Sequence, residues 1–142
     1  MTARNLGYWI TTGLVALAFA FGGVADLARF PDVIAGMAQL GYPAYLAGLL
    51  GLWKVLGAGA ILAPGTARLK EWAYAGMFFD LTGAAYSHAS SGDPTGKILT
   101  PLVLLGLVAA SWALRSDARA LPREAPASTP ELGRGALASA KG

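Results

Sequence analysis

Residues 43–63 read PAYLAGLLGLWKVLGAGAILA, an uncharged run but for Lys54, followed at once by Pro64. At 1.5 Å of rise per residue the run reaches about 30 Å, the thickness of a bilayer's hydrocarbon. A buried helix of a water-soluble protein would carry a polar face, and this run has none. It reads as a membrane span. Lys54 lies eleven residues after Pro43 and ten before Pro64, which puts it near mid-depth. A charged side chain there costs at least about 2.5 kcal/mol, so Lys54 has to face protein and not lipid. Its helical face also carries Ala47, Gly51, Gly57 and Ala58, small residues of the kind that let helices approach closely. Such a span needs partner spans, and Lys54 needs a carboxylate.

Three further apolar stretches supply the partners: Gly7 to Ala28, Trp72 to Ser87 and Ile98 to Leu114, the Trp72 stretch being the shortest. The whole chain agrees with them, since 55% of its 142 residues are apolar and only 13% charged. The expected fold is an all-α polytopic membrane protein, a four-transmembrane-helix bundle occupying residues 6–115. Phe30, Val33, Ile34, Met37 and Leu40 recur at helical spacing within residues 29–42 and predict a short amphipathic helix at the interface between the first two spans. Gly41-Tyr42-Pro43, Pro64-Gly65 and Gly92-Asp93-Pro94 mark turns, and Pro101 falls in about the first turn of the last span. Residues 116–142, rich in Ala, Pro, Ser, Arg and Glu without apolar period, read as a disordered tail. Arg4 ahead of an apolar run with Ala18-Phe19-Ala20 resembles a signal peptide, but the run continues through Phe21, Val24 and Leu27, so an uncleaved helix is expected.

The net charge of +3 does not point to nucleic acid, because five of the eleven basic residues lie from Arg115 onward, beyond the last apolar run. Basic flanks of spans report orientation. Arg4, Arg68, Lys70 and those five fall on one side and Arg29 and Lys97 on the other, which predicts both termini in the cytoplasm. The sequence contains no cysteine, so thiolate chemistry is excluded within this chain, and its single histidine makes a metal or haem site from one chain unsupported. Neither a phosphate-binding glycine loop nor a serine elbow occurs.

The residues that can carry chemistry are few. Asp80 lies nine residues after Glu71 and eight before His88, at a depth similar to that of Lys54, and shares its face with Ala73, Gly76, Gly83 and Ala84. A Lys54–Asp80 pair is expected, either as a functional site or as a structural pin. Asp26 and His88 fall at comparable depth at the opposite end from the termini, with Ser87, Ser90, Ser91 and Asp93 nearby, and predict a second polar cluster able to relay a proton or hold a ligand. Trp53, Tyr74, Phe78, Phe79 and Tyr86 sit deep enough to pack helices or to line a pocket for a flat lipophile such as a quinone. Glu71 and Trp72 read as the start of a helix, an acid at its positive end and an aromatic at the interface.

Several short motifs give the chain a familiar outline. Tyr8-Trp9 opens the first span, and Gly22-Gly23 precedes Asp26-Leu27. Leu40-Gly41-Tyr42-Pro43-Ala44-Tyr45, Trp53-Lys54-Val55-Leu56-Gly57-Ala58 and Glu71-Trp72-Ala73-Tyr74-Ala75-Gly76 follow. Ser87-His88 with Gly92-Asp93, and Ser111 with Leu114-Arg115, complete the set. Together they resemble the DoxX-like family of small bacterial four-helix membrane proteins across residues 6–115. The resemblance implies a cytoplasmic-membrane address and two functional directions. One is a quinone- or lipophile-binding accessory subunit in redox or oxidative-stress metabolism, working with a soluble or membrane redox partner, as in thiosulfate:quinone oxidoreductase. The other is a non-catalytic assembly or interaction protein, related to eukaryotic membrane proteins that assist receptor assembly, whose small-residue faces bind partner helices or a second copy of the chain.

Overall fold

A computed structural model describes residues 2–116. Among them the chain forms α1 (Ala3–Leu27), α2 (Pro31–Gln39), α3 (Tyr45–Leu62), α4 (Ala67–Ser90) and α5 (Thr95–Ala113), with no strand. The expected tail lies, from residue 117 onward, outside the described residues. The boundaries have local causes. Thr2 caps α1 by accepting from the Asn5 amide. At the C-terminus of α1 the Phe30 amide reaches the Ala25 carbonyl and the Arg29 amide the Asp26 carbonyl, a Schellman closure that forces Arg29 to φ 52°. The same closure ends α2 at Gly41 (φ 79°) and α4 at Gly92 (φ 69°), where glycine takes the left-handed conformation without strain. Pro31 opens α2 at a position where its missing amide costs nothing.

The four long helices pack as neighbours in a ring, α1 against α3, α3 against α4, α4 against α5 and α5 back against α1. The core between them is small. Val15, Ala16 and Phe19 of α1 meet Ala58 and Ile61 of α3, Tyr74, Met77 and Leu81 of α4, and Val108 of α5. Many other large apolar side chains point outward: Leu17, Phe21, Trp53, Trp72, Phe79 and Val103 are each more than 60% exposed. An apolar exterior of this kind suits lipid contact and would be an aggregation surface in water. By length and composition α1, α3 and α5 are able to cross a membrane.

Two sequence expectations are revised here. The expected third span, Trp72 to Ser87, is the inner part of α4, which begins five residues earlier and whose Arg68, Lys70, Glu71 and Asp80 leave it less apolar than the other three long helices. Pro101 stands in the second turn of α5 and not the first, because the helix already starts at Thr95.

The closest approach in the fold is between α1 and α3. A Cβ placed on Gly23 would come within 2.9 Å of the Gly51 carbonyl oxygen, and one placed on Gly51 within 2.7 Å of that of Gly23 and 2.8 Å of Asp26 Cβ. Only hydrogen fits at either position. Gly22, one residue away, faces open space. Gly51→Ala is therefore expected to lower unfolding free energy in mild detergent by about 1–3 kcal/mol. Gly22→Ala should stay within about 0.5 kcal/mol of the parent, because it meets nothing.

Candidate functional site

The glycine crossing determines where the charges meet. Gly23 faces Lys54 Cβ across it and Gly51 faces Asp26 Cβ, so α1 and α3 run antiparallel with each glycine opposite the other helix's ionisable residue. Side chains lean toward the N-terminus of their own helix, so in an antiparallel pair Lys54 and Asp26 lean toward one another. Lys54 Nζ donates to Asp26 Oδ2 at 2.8 Å. Asp80, reaching in from α4, holds its Oδ2 4.0 Å from the same nitrogen. One ammonium thus stands between two carboxylates contributed by two other helices. Asp26 is the more buried carboxylate, and Lys54 and Asp80 keep about a fifth of their side-chain surface exposed.

That exposed surface opens into a cleft of about 480 Å³ between α3 and α4. Its walls are Leu50, Trp53, Leu56 and Gly57 on one side and Leu69, Trp72, Gly76 and Phe79 on the other, with Phe19 of α1 behind and Lys54 and Asp80 in the lining. The opening follows from side-chain size. Gly57, Ala60, Ala73 and Gly76 face each other where larger residues would seal the helices together, and a Cβ on Gly76 would meet nothing within 4 Å. An apolar cleft of this volume with two polar groups in it has the size and composition of a small-molecule site. The ammonium can donate to a carbonyl or hydroxyl oxygen, and the carboxylate can accept from a hydroxyl.

The sequence-predicted residues distribute as follows. Lys54, Asp80 and Trp53 share the cleft. Asp26 belongs with Lys54 and not with His88, because the crossing and the lean of both side chains carry it there. His88 pairs instead with Asp93, Nδ1 to Oδ2 at 2.7 Å. Tyr74 is buried on another face of α4, where its hydroxyl and that of Thr12 both bond to Ser111 Oγ at 2.8 and 2.6 Å. Phe78 and Tyr86 face outward and line no part of the cleft.

Sequence reading missed two groupings. The first is this Thr12–Ser111–Tyr74 chain joining α1, α5 and α4, signalled only by isolated hydroxyls within apolar runs. The second lies at the end of the molecule where α4 begins. There Glu71 accepts from Trp112 Nε1 at 3.0 Å and pairs with Arg115 at 2.7 Å, while the guanidinium lies 5.0 Å from the Tyr74 ring centroid. Lys70, also buried, donates to the Ile61 carbonyl at the end of α3. Glu71 therefore serves in an ion pair inside the second turn of α4 and not as an acid at a helix start.

At the opposite end Asp93 organises a polar knot. Besides His88 it accepts from Gln39 Nε2 at 2.6 Å and Lys97 Nζ at 3.4 Å, which ties α2 to the turn between α4 and α5. A Schellman closure usually seals itself with an apolar contact between the residues that His88 and Asp93 occupy, and here a hydrogen bond takes that place. The His88 hydrogen bond, helped by Lys97, holds the Asp93 carboxyl below its ordinary range.

Among known families, residues 10–111 match the family model described as the DoxX-like family. No curated protein and no solved structure matches the chain significantly.

Because the folded-state pKa of Asp93 is lowered, its stabilising contribution is present above the unfolded carboxylate range, about 3.9, and is lost as pH falls through the lowered value. Unfolding measured from about pH 7 to pH 2 should show Asp93→Asn less stable than the parent by a margin that is constant above about pH 5 and shrinks below about pH 4. A margin independent of pH would separate Asp93 from the knot's stability.

Proposed function

The chain belongs to the DoxX-like family, and on that premise we propose that its cleft between α3 and α4 holds the ring of a lipophilic small molecule, foremost a quinone. In this reading the protein is an accessory subunit of redox or oxidative-stress metabolism. The observation that carries it is the cleft itself: apolar walls bearing Trp53, Trp72 and Phe79, with Lys54 and Asp80 where a ring oxygen would end. A prenyl or alkyl tail would remain in the surrounding lipid, and the aromatic walls would stack on the ring.

The membrane arrangement proposed with it is four spans, α1, α3, α4 and α5. Although α4 is less apolar than the others, three of its charges have partners within the protein: Lys70 donates to Ile61, Glu71 pairs with Arg115 and Asp80 lies 4.0 Å from Lys54. Its 24 residues reach about 36 Å, and Trp72, Phe79 and Tyr86 face outward along it. The short α2 would lie in the interface. The excess of basic residues beside Arg4, Arg68 and Arg115 supports both termini on the cytoplasmic side of a bacterial cytoplasmic membrane.

The 2.8 Å contact between Lys54 and Asp26 favours a second reading, in which the charges only pin helix register and the protein assists assembly of others. Protein purified from native membranes in mild detergent and extracted for mass spectrometry separates the two. The quinone reading expects about one lipophile per chain. Gly76→Leu, whose Cβ meets nothing within 4 Å and whose side chain adds bulk to the cleft wall, should remove that molecule and leave unfolding free energy within about 0.5 kcal/mol of the parent. An empty chain that retains a specific protein partner would establish the assembly reading instead.

A further inference from the structure

Within the cleft the two carboxylates are not equivalent. Asp26 accepts a hydrogen bond from Lys54 Nζ at 2.8 Å and does not line the cleft, whereas Asp80 lines it and lies 4.0 Å from the ammonium. That second distance is too long for a hydrogen bond, yet short enough for one oxygen atom to lie within hydrogen-bond reach of both groups. An oxygen seated there would meet a donor, Lys54 Nζ, and a carboxylate acceptor, Asp80 Oδ2. A carbonyl or ether oxygen can use only the first. A hydroxyl uses both, accepting from the lysine and donating to the carboxylate. Among the described residues Asp80 has no closer cation: those that face this group are Asp26 from α1 and Lys54 from α3, and the lysine is already held by Asp26.

We propose that the cleft selects a ring bearing a free hydroxyl, a hydroquinone or other phenolic lipid, over the corresponding quinone or ether, with Asp80 as the selecting acceptor and Lys54, held in place by Asp26, as the donor. This inference rests on the reading of the cleft as a ring-binding site. It assigns different duties to the two carboxylates: Asp26 positions the lysine, and Asp80 contacts the ligand. Selection arises because binding a carbonyl or ether would bury the Asp80 carboxylate against an apolar ring without a donor, which is penalised more strongly than the hydroxyl's hydrogen bond is rewarded.

The test uses the full chain in mild detergent, titrated calorimetrically with three probes of the same ring and decyl chain: the benzohydroquinone kept reduced, the benzoquinone, and the hydroquinone dimethyl ether. Each titration is corrected for partition into empty micelles. The hydroquinone should bind about tenfold or more tighter than either of the others, the factor that one hydrogen bond to a charged group carries. In Asp80→Leu the three probes should converge to within about threefold, chiefly because the quinone and the ether bind more tightly once no carboxylate is buried against the ring. Equal affinities for all three probes in the unaltered protein would overturn the selection and leave ring binding standing. Tighter binding of the quinone would also overturn it. Binding of none of the three would remove the ring-binding reading together with the inference. Because the decisive comparison is made on the unaltered chain, it does not depend on any variant folding.

Discussion

An ammonium group set halfway along an apolar helix obliges the rest of the chain to bring carboxylates to it. In this protein that obligation falls on Lys54, and it is met from two helices at once, by Asp26 and Asp80. Leaving the charge in hydrocarbon would cost at least about 2.5 kcal/mol, and removing a single partner from a buried pair leaves an uncompensated charge behind. The contact depends on the Gly23–Gly51 crossing, because only two hydrogens facing each other let α1 and α3 come close enough for Asp26 to reach the lysine. Small side chains thus set the backbone distance, the backbone distance sets the ion pair, and the ion pair orients the ammonium in the cleft.

The two ends of the molecule solve a different problem. Where α4 begins, Arg115 and Lys70 are buried and need acceptors, which Glu71 and the Ile61 carbonyl of α3 provide. At the other end Asp93 gathers His88, Gln39 and Lys97 and so fastens α2 and the α4–α5 turn to one another. Between these fastened ends the middle of the α3–α4 seam stays open, because Gly57, Ala60, Ala73 and Gly76 do not fill it. A cleft in the middle of an otherwise tied structure is a place where a ligand can enter without the fold having to part.

Much of this was readable beforehand, and the failures have physical causes. The apolar runs marked α1, α3 and α5 because nothing in them competes with a lipid-facing helix. Their neighbour α4 was read five residues short: Arg68, Lys70 and Glu71 look like loop charges in sequence, and only tertiary pairing reveals the last two as helical and satisfied. Counting depth from the helix ends brought Lys54 to Asp80 but not to Asp26. Depth counting treats side chains as level with their Cα atoms, whereas in antiparallel helices they lean toward each other and the lysine stem spans the remaining turn. Depth alone groups Tyr74, Phe78 and Tyr86 with Trp53. Depth says nothing of direction around α4, and the three point to a buried hydroxyl chain and to the exterior.

The central claim is that Lys54 and Asp26 are energetically coupled across the glycine crossing. A double-mutant cycle measures this most directly, with Asp26→Asn, Lys54→Met and the double variant compared by unfolding free energy in mild detergent. The account predicts that the double variant is less damaged than the sum of the single ones, by about 1 kcal/mol or more. Effects that add to within about 0.5 kcal/mol would contradict it, because the lysine and the aspartate would then not depend on each other for their stability.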